Sequence, residues 1–198
     1  MFVTFEGVDG SGKTTQAGLL AELLRAEGRE VVETREPGGT RLGEEIRRLL
    51  LHEGRVAPWA EAALFAAARA QLVDEVIGPA LVRGADVVCD RYVDSSLAYQ
   101  GLARGLGVER VLELNLAAVG GLLPDRTVLL LLTPEEAAAR RAGEPDRIER
   151  EGDDFAVRVD EGSRELARRF PERILTADGT LEPEALAQVI RGELRDLP

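Results

Sequence analysis

Eight residues near the start of the chain, Gly7-Val8-Asp9-Gly10-Ser11-Gly12-Lys13-Thr14, fit the spacing G-x-x-x-x-G-K-[ST]. The glycines at 7, 10 and 12 let the backbone close around an anion, since they accept positive φ and carry no side chain to block the approach. Successive N–H groups then point inward, and a helix starting near Lys13 adds the positive end of its dipole. In such a loop Lys13 reaches the β- and γ-phosphates of a nucleotide, and Thr14 sets a hydroxyl on Mg²⁺. The chain has 24 arginines and a single lysine, which is Lys13. A compact, flexible ammonium suits phosphate better than a guanidinium fork does here.

A second group follows the apolar run Val87-Val88-Cys89, where Asp90-Arg91 stands at the end of an expected strand. Asp90 can hold Mg²⁺ directly or through water, and Arg91 beside it can hold a transferring phosphoryl group. A third is the polar segment after the helix from Pro134, with a lid expected at about 141–152, which carries Arg140 at its edge and Arg141, Arg147 and Arg150 within it. As a lid it would exclude water and neutralise charge on the transferred group. Glu144, Glu149 and Glu151 are interleaved with them, so a solvated helix end reads equally well. Together these features imply phosphoryl transfer from a nucleoside triphosphate. A guanine-reading Asn-Lys-x-Asp motif is impossible with Lys13 the only lysine, which argues against a GTPase switch.

These residues need a scaffold that brings them to one edge. Strands are expected at 2–6, 30–34, 85–90, 127–132 and 173–176. Helices are expected at 13–27, 42–51, 58–77, 108–118, 134–142, 153–170 and 182–194. Gly28 stops the first helix, Gly78-Pro79 interrupts or ends the third, and Thr133 caps the one that begins at Pro134. Strands alternating with helices give an α/β fold with a parallel sheet, whose ligands bind beyond the carboxyl ends of the strands. The loop Arg35-Glu36-Pro37-Gly38-Gly39-Thr40 arrives at that same edge.

At 198 residues the chain reads as one domain over 1–198. No apolar run is long enough to span a bilayer and the start shows no signal peptide, so a cytoplasmic protein is expected. A net charge of −11 argues against binding nucleic acid or an anionic membrane. Cys89 alone cannot form an internal disulfide and reads as a buried thiol. His52, the only histidine, reads as a surface or cap residue.

The motifs FEGVDGSGKTT, TREPGGT, LFAAARAQ, DRYVDSSLAYQG, PDRTVLLLLTPEEAAAR and DRIE, in this order, resemble the thymidylate kinase family over nearly the whole chain. That resemblance implies a P-loop NTPase three-layer sandwich, a five-stranded parallel sheet in order 2-3-1-4-5, and transfer of the γ-phosphoryl group of ATP to dTMP with Mg²⁺. A kinase for another nucleoside monophosphate is the alternative. The family implies that Asp9 takes the 3′-hydroxyl of dTMP and that Phe65 stacks on thymine. It also implies that Arg69 donates to thymine O4, Ser96 and Gln100 read the base edge, and Tyr99 backs the sugar. Arg47 and Arg91 would hold the dTMP phosphate. Taken singly, Phe65 and Tyr99 read as packing residues and Arg69 as a surface charge. With no basic residue at Gly10 or Ser11, the resemblance is to the bacterial type, in which a lid arginine, Arg141 or Arg147, is catalytic. It further implies a homodimer paired through helices, with the helix from Pro58 as a contact face. Gly162-Ser163 departs from the family's usual Gly-Tyr.

Overall fold

Strand β1 (Phe2–Glu6) is buried along its whole length and forms the middle of a five-stranded parallel sheet. The structure, a computed structural model, describes residues 1–140 and 144–197. After β1 come α1 (Lys13–Ala26), β2 (Val31–Arg35), α2 (Arg41–His52), α3 (Pro58–Leu72), α4 (Gly78–Val82) and β3 (Asp86–Asp90). Then follow α5 (Val93–Ser96), α6 (Val108–Ala118), β4 (Arg126–Leu131), α7 (Pro134–Arg140), α8 (Asp153–Arg169), β5 (Ile174–Asp178) and α9 (Pro183–Glu193). The sheet order is β2-β3-β1-β4-β5, as expected.

Alternate residues of each strand feed opposite faces. Val3, Phe5, Val88, Val128 and Leu130 pack with Leu20 and Leu24 of α1 and Leu186 and Ile190 of α9. Phe2, Val87, Cys89 and Leu129 pack on the other face with residues from α6 and α8. Both faces being covered, the strands read as unbroken apolar runs rather than alternating ones.

Register fixes the site. Asp90 lies level with Phe5 on one side and with Arg35 on the other, so three strands end together. The phosphate loop, the REPGGT loop and Asp90-Arg91 therefore leave the sheet at one edge.

Several boundaries differ from expectation. Gly78-Pro79 does not end the helix. Between Val73 and Ile77 the helix widens, the Gly78 N–H bonding the Val73 carbonyl five residues back, and the chain then continues into α4. That wider turn accommodates Pro79, which has no N–H to give. A second widened turn, Leu97–Ala103, follows α5 and carries Tyr99 and Gln100. β5 runs on to Asp178 because its pairing with β4 continues to Leu131. Thr133 does cap α7: its Oγ1 accepts the Glu136 N–H at 3.2 Å, and Glu136 accepts the Thr133 N–H at 2.9 Å. His52 is exposed at the end of α2 and Cys89 is a buried free thiol.

Candidate active site

The phosphate loop is the turn between β1 and α1. Gly7 has φ 142°, and a Cβ there would sit 2.7 Å from Ser11 Oγ and 2.8 Å from the Leu130 carbonyl. Gly10 and Gly12 each have φ 90°. The Ser11 N–H closes the turn on the Val8 carbonyl at 3.1 Å. Gly12 leads into α1, whose start has no side-chain cap, so the N–H groups of that turn are available to an anion.

Lys13 reaches back across the loop. Its Nζ donates to the Val8 carbonyl at 2.8 Å and lies 3.8 Å from Asp9 Oδ1. Burial, and after it the charge of Arg91, push the Lys13 pKa down to about 8. One position on, Thr14 Oγ1 donates to Asp90 Oδ2 at 2.5 Å, while Asp90 Oδ1 is buried without a hydrogen-bond partner. Two adjacent hard oxygen donors, one carboxylate oxygen still unsatisfied, fit Mg²⁺, which takes one or two protein oxygens and completes its shell with water and phosphate. Among the described residues no group of three or more His, Cys, Asp or Glu forms a protein-only cage.

Arg91 joins the loop to the rest of the site. It is a non-glycine residue at φ 70°. Buried Glu6 holds that turn, its Oε1 accepting the Tyr92 N–H at 2.8 Å and the Ser95 N–H at 3.1 Å, and its Oε2 the Ser95 hydroxyl. Burial raises the Glu6 pKa to about 7, against the opposing pull of Arg91. The Arg91 guanidinium donates to the Gly7 carbonyl at 3.1 Å, Ser95 Oγ at 3.2 Å and Asp9 Oδ1 at 2.5 Å. It lies 5.4 Å from the centre of the Tyr99 ring.

The loop, Arg35, Glu36, Arg47, Asp90 and Arg91 line a cleft of about 700 Å³. Behind it is a smaller pocket. Phe65, Ser96, Tyr99 and Gln100 form its walls, and Asp9, Glu36, Arg47 and Arg91 are common to both spaces. Arg47 donates to the Pro37 carbonyl at 3.0 Å, which ties α2 to the REPGGT loop. The Thr40 side chain caps α2 by accepting the Gly43 N–H at 3.0 Å.

Arg69 is not a surface charge. It is 1% exposed and donates to Glu36 (2.7 Å), Ser96 Oγ (3.0 Å), the Tyr92 carbonyl (2.9 Å) and Asn115 Oδ1. A second nitrogen reaches Glu36 at 2.5 Å. Its five N–H groups thus have acceptors, and a direct contact to thymine O4 would have to displace one of them. Burial raises Glu36 to about 7 despite Arg69, and Glu36 Oε1 is buried without a partner.

The lid arginines separate. Arg140 lines the phosphate cleft and donates to the Gly179 carbonyl at 2.8 Å. Arg147 is not brought to the phosphate loop. Its Nε donates to the Leu50 carbonyl at 2.6 Å, its Nη2 to Glu61 at 2.7 Å, and its backbone N–H to the Leu51 carbonyl at 3.0 Å. The catalytic expectation for Arg141 lies outside the described residues. Glu6, Glu61 and Asn115, all buried, are functional neighbours that the sequence reading missed.

Residues 5–190 match the sequence profile described as thymidylate kinase. The chain is 49% identical over 191 residues to a thymidylate kinase of Caldanaerobacter subterraneus subsp. tengcongensis, covering 96% of this chain and 92% of that one. It is 52% identical over 184 residues to one from Pelotomaculum thermopropionicum, covering 90% and 85%. Among solved structures, the thymidylate kinase of Ehrlichia chaffeensis superposes with a TM-score of 0.82 at 33% identity, over 98% of each chain.

Proposed function

Because the chain belongs to the thymidylate kinase family, it transfers the γ-phosphoryl group of ATP to dTMP, giving dTDP and ADP, and we propose how its residues divide that work. The phosphates of ATP lie in the loop from Gly7 to Thr14, with Lys13 against the β- and γ-phosphates. dTMP enters the smaller pocket with thymine on Phe65 and its edge toward Ser96 and Gln100. Arg69 supports that edge through Ser96. The sugar rests on Tyr99 with its 3′-hydroxyl on Asp9, and the phosphate lies between Arg47 and Arg91.

The observation that carries this reading is the wall common to cleft and pocket, formed by Asp9, Glu36, Arg47 and Arg91. In-line transfer requires donor and acceptor phosphates to meet at one point. Arg91 stands at that point; it takes a phosphate oxygen in exchange for its bond to Asp9, and Asp9 accepts from the sugar hydroxyl. Mg²⁺ held by Asp90 and Thr14 would neutralise charge between the phosphates. Of the lid arginines, Arg140 already faces the cleft, and Arg140 with Arg141 is best placed in sequence to shield the transferred group. Arg147 serves this through the lid's anchorage.

The test is ADP release with dTMP, dUMP and GMP as acceptors. A strong preference for dTMP is expected, and equal rates with GMP would remove the thymine assignment. Alanine at Arg140, Arg141, Arg147 and Arg150 together should lower kcat by about 10²-fold or more. A kcat near the parent value would exclude lid catalysis.

The same reading has the enzyme working in the cytoplasm as a homodimer. No helix among the described residues is long and apolar enough to cross a membrane. Exposure of Leu42 on α2 (47%) and Trp59 on α3 (38%) supports a pairing face along those helices. Sedimentation as a monomer at micromolar concentration would overturn it.

A further inference from the structure

The side-chain amide of Gln100 is held in one orientation. Gln100 is 1% exposed, and its Nε2 donates to Glu61 Oε1 at 2.9 Å. Glu61 sits in the first turn of α3, fully buried, and takes further hydrogen bonds from Arg104 at 3.2 and 3.1 Å and from Arg147 at 2.7 Å. Burial alone would raise its pKa, but the bonds from Arg104, Gln100 and Arg147 outweigh burial and hold it below the ordinary carboxylate value. Glu61 is therefore ionised at neutral pH, and an ionised carboxylate can only accept. Only the NH₂ end of Gln100 can face it. The carbonyl end is left to the pocket, alongside Phe65 and Ser96. Ser96 Oγ in turn accepts from Arg69, so its own hydrogen is free to donate. The pocket thus offers a donor next to an acceptor.

We propose that Glu61 is a specificity-determining positioning residue: by capturing the Gln100 amide nitrogen, it makes the pocket present a carbonyl to the acceptor base. That carbonyl pairs with the N3–H of thymine or uracil. Cytosine has a bare N3 acceptor there and would meet it lone pair to lone pair. This rests on the assignment of Gln100 to the base edge. A site built around such a hydrogen bond rejects an analogue lacking it by up to about 10⁴–10⁵-fold. The same carboxylate anchors the lid through Arg147, whose chain neighbours Asp146 and Ile148 both line the base pocket. Base reading and lid seating therefore meet on one side chain.

The experiment compares kcat/KM for dTMP and dCMP in the parent enzyme, Glu61→Gln, Gln100→Leu and Arg147→Met. Glutamine at 61 can donate as well as accept, which frees the Gln100 amide to turn. The dTMP:dCMP preference of Glu61→Gln should fall at least tenfold, with the dTMP loss mainly in KM. Arg147→Met removes the lid anchor but leaves the amide in place, so its preference should stay at the parent value while kcat changes. A parent-like preference in Glu61→Gln, with Gln100→Leu losing dTMP efficiency, overturns the proposal and leaves Gln100 as the base reader. An unchanged dTMP efficiency in Gln100→Leu overturns the base-edge assignment itself. If Glu61→Gln does not fold, ¹⁵N spectra of the parent enzyme decide. The Gln100 NH₂ protons should exchange slowly and keep their shifts when dTMP is added, and a large dTMP-dependent shift of those protons overturns the proposal.

Discussion

A lysine amine beside phosphate oxygens is useful only while it is charged, and Lys13 is poised at the limit of that condition. Its pKa of about 8 reflects burial and the neighbouring Arg91. Bound phosphates favour the charged form, so nucleotide binding should raise the pKa and take up a proton. We expect ATP affinity to fall as pH rises through about 8. Calorimetry at pH 8.5 in buffers of different ionisation enthalpy should show proton uptake, and release would contradict the assignment. Glu6 works with the opposite sign. Its folded pKa of about 7 exceeds the ordinary 4.5, so the folded state binds more protons between those values and stability declines as pH rises across that window. Glu6→Gln cannot titrate and keeps an acceptor for the Tyr92 N–H. Between pH 5 and pH 8 it should therefore gain stability relative to the parent, by up to about 3 kcal/mol, read from denaturant midpoints. Lys13, Thr14 and Asp90 were legible in the sequence because their chemistry is written in local spacing. Glu6 and Glu61 were not. Their partners Tyr92 and Arg147 lie 86 positions away in each case, and nothing near either acid marks the pairing.

At the level of elements, the alternation of apolar strands and helices carried most of the fold. What it could not carry were the two widened turns, because a shift from i−4 to i−5 bonding over five or seven residues has no residue signature of its own. Gly78-Pro79 reads locally as a stop, yet the helix passes through by widening before it. The price is a fixed residue at 78, where a Cβ would sit 2.9 Å from the Val73 carbonyl. Alanine normally gains about 1 kcal/mol over glycine in a helix, but overpacking against backbone costs about 1–3 kcal/mol. Gly78→Ala should thus lower Tm by about 2–4 °C per kcal/mol of net loss. A raised Tm in a thermal melt would show that the turn relaxes freely. The second widened turn matters more for function. It sets Tyr99 and Gln100 on the pocket wall, which the motif DRYVDSSLAYQG named without showing how.

For the molecule as a whole, a parallel sheet was legible in the apolar strands alternating with helices, while its order β2-β3-β1-β4-β5 was what the family resemblance implied. The state of the lid did not follow. Charge alone cannot say whether Arg147 faces a phosphate or a carboxylate, and the fold gives it Glu61. The chain's preference for arginine over lysine has one practical outcome. In 198 residues there is one side-chain amine, and it belongs to Lys13, on the wall of the phosphate cleft. A pKa near 8 also makes it more nucleophilic at neutral pH than an ordinary lysine. A limiting dose of an amine-acylating reagent should give a single side-chain adduct, assigned to Lys13 rather than to the Met1 α-amine by peptide mass mapping, with activity lost in proportion. Saturating ATP should suppress it, and an adduct on Lys13 that forms equally fast with ATP bound would refute the contact. Ordinary acylation chemistry thereby becomes a count of how many molecules hold nucleotide.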